Sequence, residues 1–157
     1  MLTRMFMLLA FVTLSLSCLP LQAAQKVDST GGAFAGVKTA KVIFDVRVPD
    51  DEKLIFNLKL IDETYAGIVA EGIKPKMVVS FRGPGVKLLT SSAIDEEAHE
   101  LIRNLIKKGV RIEVCAVATR TFKTDNAEII PEVKLVSNVF HSFIGYQNRG
   151  YAIITIN

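Results

Sequence analysis

Cysteine is almost missing from this chain. Of its 157 residues only Cys18 and Cys115 carry a thiol, and Cys18 lies in an apolar leader. Removing the leader leaves one thiol, which excludes an intrachain disulfide. Histidine is as scarce, and neither His99 nor His141 stands at metal-ligand spacing from a cysteine, so no zinc motif can be written. Neither metal nor cofactor is expected. An excess of one charge is also lacking: 19 basic residues face 16 acidic ones, and the one adjacent basic pair, Lys107-Lys108, falls at the tail of a helix, where cations complement the dipole. A nucleic-acid partner is therefore not expected. There is no internal repeat or low-complexity tract, and the Gly-x-x-x-x-Gly-Lys-Ser/Thr spacing of a nucleotide P-loop is absent.

The first residues have the order of a secretory signal: one early charge at Arg4, an apolar stretch over 5–16, then Cys18, Pro20 and the small residues Ala23 and Ala24. The stretch is too short to span a bilayer, so no transmembrane segment is expected after the signal is cleaved. We expect residues 1–23 to be a signal peptide cleaved after Ala23, and the mature chain to be exported to the periplasm. A lipid anchor on Cys18 is the rival reading, but Ser15 stands where such a motif has leucine. Cleavage leaves 134 residues with 18 basic and 16 acidic side chains, enough for one domain with a sizeable core. Residues 24–40 read as a mobile lead-in and 41–157 as the domain.

Strand and helix patterns then alternate. Residues 41–47 are rich in β-branched and aromatic side chains and stop at Pro49-Asp50, where the aspartate can cap a helix. Leu54, Leu58, Ile61, Tyr65 and Ile68 follow as one apolar helical stripe, closed by Gly72 and Pro75. Residues 76–82 predict a second strand, running into Gly83-Pro84-Gly85. A second helix is expected from Ser91 or Ser92, with Ile94, Ala98, Leu101 and Leu105 inward and Gly109 at its end. The run over 110–116 is a buried strand with Cys115 near its end. Weakly helical pieces near 117–123 and 126–129, a short strand over 134–137, a helix over 138–149 with Val139, Phe143 and Tyr146 inward, and a closing strand over 151–156 complete the pattern. Strands joined by helical crossovers pair in parallel, so we expect an open, mostly parallel five-stranded α/β sheet with helices on both faces. Ligands in such sheets bind beyond the carboxyl ends of the strands, where residues 45–49, 82–87, 115–120 and 137–138 emerge.

The strand and turn over 78–89, with Arg82-Gly83-Pro84-Gly85, the strand over 108–115 and the Gly150-Tyr151 pair resemble the DsrE/DsrF-like family over roughly residues 41–156. The resemblance implies a flavodoxin-like sheet, assembly into trimers or hexamers, and sulfur carried as a persulfide on a cysteine at the end of the third strand. Cys115 matches that cysteine.

Two readings stand side by side. In one, Cys115 takes sulfane sulfur from a donor thiol protein and passes it to an acceptor thiol, as a sulfur carrier or sulfurtransferase, with Arg82 and Arg120 favouring the thiolate. In the other, the cysteine is a small core residue and the protein is a non-enzymatic oligomeric module whose strand-end site, formed by Arg82, Gly83, Gly85, Arg120 and Asn138, holds a small anion. The Gly-Pro-Gly turn also reads simply as a tight turn, the two histidines as solvated helix residues, and Asp50, Asp51 and Glu52 as a cap with dipole partners. Phe56, Leu60, Phe122 and Phe140 are apolar beyond what the stripes need and are the expected assembly surface.

Overall fold

A computed structural model describes residues 32–157. The leader, its cleavage after Ala23, Cys18 and the start of the lead-in lie outside the described residues. The strands are β1 (Thr39–Val46), β2 (Lys74–Phe81), β3 (Arg111–Cys115), β4 (Lys134–Val136) and β5 (Ala152–Ile156). The helices are α1 (Asp51–Ala70), α2 (Glu96–Lys107), α3 (Ala116–Thr121) and α4 (Val139–Gln147), with 3-10 turns at Gly83–Leu89 and Asn126–Glu128. The pairings among these five strands are all parallel, in the order β4-β3-β2-β1-β5.

That order distributes the helices. The chain steps outward from β1 through β2 and β3 to β4, then returns to place β5 on the far side of β1. Because parallel crossovers are right-handed, steps in one direction put α1 and α2 on one face, and the return step puts α4 on the other. Side-chain contacts agree: Lys59 of α1 meets Glu97 of α2 at 2.6 Å, while Tyr146 of α4 bonds Glu113 on the sheet. Residues 42–46 are buried throughout, as a strand covered on both faces requires.

The α1 stripe packs as its spacing predicts. Leu54, Leu58, Ile61 and Ile68 are buried, Tyr65 is half-buried with its hydroxyl donating to the Lys108 carbonyl, and Asp50 accepts from the Lys53 amide at 2.9 Å. Truncating any of the three deepest of these to alanine would cost about 2–5 kcal/mol.

The second helix begins later than its hydroxyls suggest. Asp95, not Ser91 or Ser92, caps α2, accepting from the Glu97 and Ala98 amides. The amide and hydroxyl of Ser91 both donate to the Glu128 carbonyl instead, tying this segment to the β3–β4 connection. Ile94 consequently precedes the helix, and Ile102, not Leu101, is fully buried. Pro75 does not close α1 either: it is the second residue of β2, near the strand start where a missing amide is tolerated. β1 begins at Thr39, and Phe34 of the lead-in packs against the core.

Candidate site at the carboxyl ends of the strands

Parallel register gathers the site. Asp45 pairs with Ser80 and Ser80 with Glu113, so these three side chains lie abreast on the α4 face. Each is flanked in sequence by apolar residues, and each is buried: Asp45 is 4% exposed, Ser80 0% and Glu113 1%. Polar side chains at such depth need partners. Asp45 has one, because Arg82 donates to it twice, Nε to Oδ1 at 2.7 Å and Nη2 to Oδ2 at 2.8 Å. Glu113 accepts from Arg111 and from the Tyr146 hydroxyl, and burial followed by the nearby Glu113 charge pushes the Tyr146 pKa up. Among the described residues the Ser80 hydroxyl and the Glu113 Oε2 have no hydrogen-bond partner.

Two residues further along the same face of β2 and β3 come Arg82 and Cys115. They line a cavity of about 240 Å³ together with Gly83 and Asn138, walled by Val117, Ala118 and Phe122 from α3 and its end and by Val139 and Phe140 from α4. Cys115 is a free thiol, 4% exposed, and the last residue before α3 begins. Arg82 lies against the Phe140 ring at 5.3 Å from its centroid, so its guanidinium is held by a carboxylate and an aromatic face at once. Asn138, which also lines the cavity, caps α4 by accepting from the Phe140 amide at 2.9 Å.

The Gly-Pro-Gly turn has steric reasons for both glycines. Gly83 takes a φ of +68°, and a Cβ on Gly85 would stand 2.5 Å from the Val48 carbonyl oxygen. Gly85 is therefore buried under the β1–α1 connection and lines no cavity with Cys115. Arg120 does not line it either, because the last turn of α3 carries its side chain into solvent. Of the site residues expected from sequence, Cys115, Arg82, Gly83 and Asn138 come together; Gly85 and Arg120 do not.

The histidines differ from each other. His141 is exposed on α4, whereas His99 is half-buried and lies 3.2 Å from Glu132. The Glu132 carboxyl is held below its ordinary 4.5, chiefly by its own backbone N–H and, against desolvation, by His99. Among the described residues no three His, Cys, Asp or Glu side chains form a cluster able to hold a metal ion, and none of their helices is long and apolar enough to cross a membrane.

A model of the DsrE/DsrF-like family matches residues 41–156. The chain belongs to that family. No curated protein matches it. Among solved structures it is similar to the protein of unknown function MTH1491 from Methanobacterium thermoautotrophicum, with 20% identity and a TM-score of 0.61 over 74% of this chain and 99% of that one. It is also similar to the conserved protein of unknown function BT1422 from Bacteroides thetaiotaomicron (19% identity, TM-score 0.55, 74% and 95% covered) and to the ychN protein from E. coli (13%, 0.52, 74% and 99%). These likenesses establish the fold, a flavodoxin-like all-parallel sheet with helices on both faces. Within this DsrE/DsrF-like frame, sequence reading missed Asp45, Ser80 and Glu113. The signal for them was present: a single polar residue between apolar neighbours in each of three strands, Phe44-Asp45-Val46, Val79-Ser80-Phe81 and Ile112-Glu113-Val114.

Proposed function

We propose that this protein is a sulfur carrier in which Cys115 holds sulfane sulfur as a persulfide. The observation that carries the reading is the placement of the one thiol of residues 32–157 in a small, largely apolar cavity beside Arg82, at a strand end that turns directly into a helix. The chemistry is two thiol exchanges. The Cys115 thiolate attacks the outer sulfur of a donor persulfide, the donor's S–S bond breaks, and the donor leaves as a thiolate. An acceptor thiolate then attacks the outer sulfur on Cys115 and releases the Cys115 thiolate. No electrons are gained or lost overall, so no external oxidant is needed. The apolar walls shield the persulfide from water, and on this reading the N–H groups of Arg82 not taken by Asp45 are the donors available to the developing negative charge.

Membership of the DsrE/DsrF-like family supports a sulfur-relay role, with donor and acceptor being thiol-bearing proteins. Assembly into a trimer or hexamer belongs to the same reading, supported by the exposed Phe56 and Leu60 on α1 and Phe140 on α4. Phe122 is partly buried against the core, whereas Phe140, which also lines the cavity, stays exposed. Export to the periplasm is part of the proposal and rests on the order of residues 1–24.

The burial of Cys115 favours a second reading, a non-enzymatic oligomeric binding module with a structural cysteine. Intact-mass measurement after incubation with a sulfane-sulfur donor separates them. The carrier gains about 32 Da, one sulfur atom, reversibly under reductant, and Cys115→Ser gains nothing while staying folded. Folded wild type that gains no reducible mass under a donor that loads a control thiol gives the binding module its place.

A further inference from the structure

At the opposite end of the sheet from Cys115, a second cavity of about 340 Å³ opens beneath the amino ends of β2 and β3. Among the described residues four cations line it, Lys74, Lys76, Lys108 and Arg111, and no carboxylate does. The three tyrosines of the chain, Tyr65, Tyr146 and Tyr151, form its walls. Lys41 lies over the Tyr151 ring and Arg149 over the Tyr146 ring at its margin.

The charge here exceeds what the fold needs. Residues 32–157 carry 17 basic and 15 acidic side chains, a net of +2. Of the six cations named, Lys108 is bonded to Asp62 and Arg111 to Glu113, and counting these two carboxylates with Glu71 at the end of α1 against the six leaves +3. The carboxyl ends of α1, α2 and α4 also point this way and bring about half a negative charge each. That still leaves the cleft positive. Asp62 and Glu113 fix two of the cations in place, and Tyr65 holds the Lys108 backbone, whereas Lys74 and Lys76 take part in none of the ion pairs of the described residues. Two cations held in ion pairs and two outside those pairs, around a concave site with aromatic walls, suit an anion that brings several acceptor oxygens.

We propose that this cleft is a binding site for a small organic phosphate carrying two or more negative charges, separate from the Cys115 cavity. Lys74 and Lys76 close on the phosphate oxygens, Arg111 and Lys108 form the back of the site, and the tyrosines contact the organic part. Nothing in this assignment depends on Cys115 carrying sulfur.

Isothermal titration of the folded protein at low ionic strength tests it, with pyrophosphate, ADP, adenosine and vesicles containing phosphatidylglycerol as separate probes. Binding of ADP is expected, with pyrophosphate weaker and adenosine not bound. Salt should weaken it by screening. The Lys74→Gln/Lys76→Gln variant should bind ADP at least about tenfold more weakly, as loss of charge-assisted contacts predicts. Lys74→Arg/Lys76→Arg should retain binding, and both variants should melt with the wild type, because the two lysines are exposed. Sulfur loading should be the same in the glutamine variant as in the wild type, which separates the two ends of the sheet. No ADP binding, binding that the glutamine variant leaves unchanged, equal binding of adenosine, or binding to vesicles alone overturns the proposal.

Discussion

The ion pair between Asp45 and Arg82 is the most testable element of the site. Its two hydrogen bonds measure 2.7 and 2.8 Å, and the two side chains are unequally buried, 5% exposed for Asp45 and 24% for Arg82. With about 4 Å between charge centres and an effective dielectric near 20, the Coulomb attraction is about 4 kcal/mol. Water reaching the guanidinium reduces that, so a coupling of about 2–3 kcal/mol is expected. Asp45→Asn leaves a cation that solvent can still reach, and should cost about 2 kcal/mol. Arg82→Gln strands a carboxylate away from water, and should cost more, about 3–4 kcal/mol. The double variant places two neutral amides where the charges stood and should cost clearly less than the sum of the singles. Urea unfolding of all four proteins at pH 7 and one salt concentration gives the cycle directly. Costs that simply add, or an Asp45→Asn variant more damaged than Arg82→Gln, would refute the argument that burial asymmetry governs this pair.

Three further outcomes follow from neighbouring features. Gly85→Ala should destabilise by about 2–3 kcal/mol in the same unfolding assay, because its methyl would meet the Val48 backbone oxygen, which a side-chain rotation cannot move away. Ser80→Ala should be neutral or stabilising by up to about 1 kcal/mol, since the deleted hydroxyl is buried without a partner; a loss above 1 kcal/mol would mean that it is satisfied after all. Glu132 titrates below 4.5 in the folded chain, so its stabilisation is complete above pH 4.5 and is lost as the pH falls through the lowered value. The deficit of Glu132→Gln relative to wild type should accordingly shrink between pH 7 and pH 3, and an equal deficit at both would show that protonation of Glu132 is not its source.

Much of this architecture was legible because burial on two faces leaves a strong mark. The runs over 41–47, 76–82 and 110–116 read as strands from their mostly apolar, β-branched centres, and Leu54, Leu58 and Ile61 recur at a period that only a helix lays on one face. The α2 start was misread because Ser91, Ser92 and Asp95 are all competent caps, and the choice was made by a distant group, the Glu128 carbonyl that holds Ser91. Arg120 lies outside the cavity for a local reason: helical rotation, which a six-residue helix leaves poorly marked in sequence, turns it to solvent. Asp45 was hidden differently. Its meeting with Arg82 depends on the register between β1 and β2, and register is fixed by tertiary pairing.

The same ion pair bears on what the Cys115 cavity prefers. An arginine beside a thiol suggests an anion site, which is how Arg82 reads in sequence. Yet Asp45 cancels its charge at hydrogen-bond distance, no other cation lines the cavity, and most of the wall is carbon. A free oxyanion would therefore lose its hydration without gaining a net positive field. A sulfane sulfur atom loses little, being polarizable and weakly hydrated, and on the proposed reading the charge of a persulfide rests on a large, soft terminal sulfur. On the proposed reading, desolvation set against attraction disposes this cavity to sulfane sulfur, and leaves a multiply charged anion to the proposed cleft at the other end of the sheet.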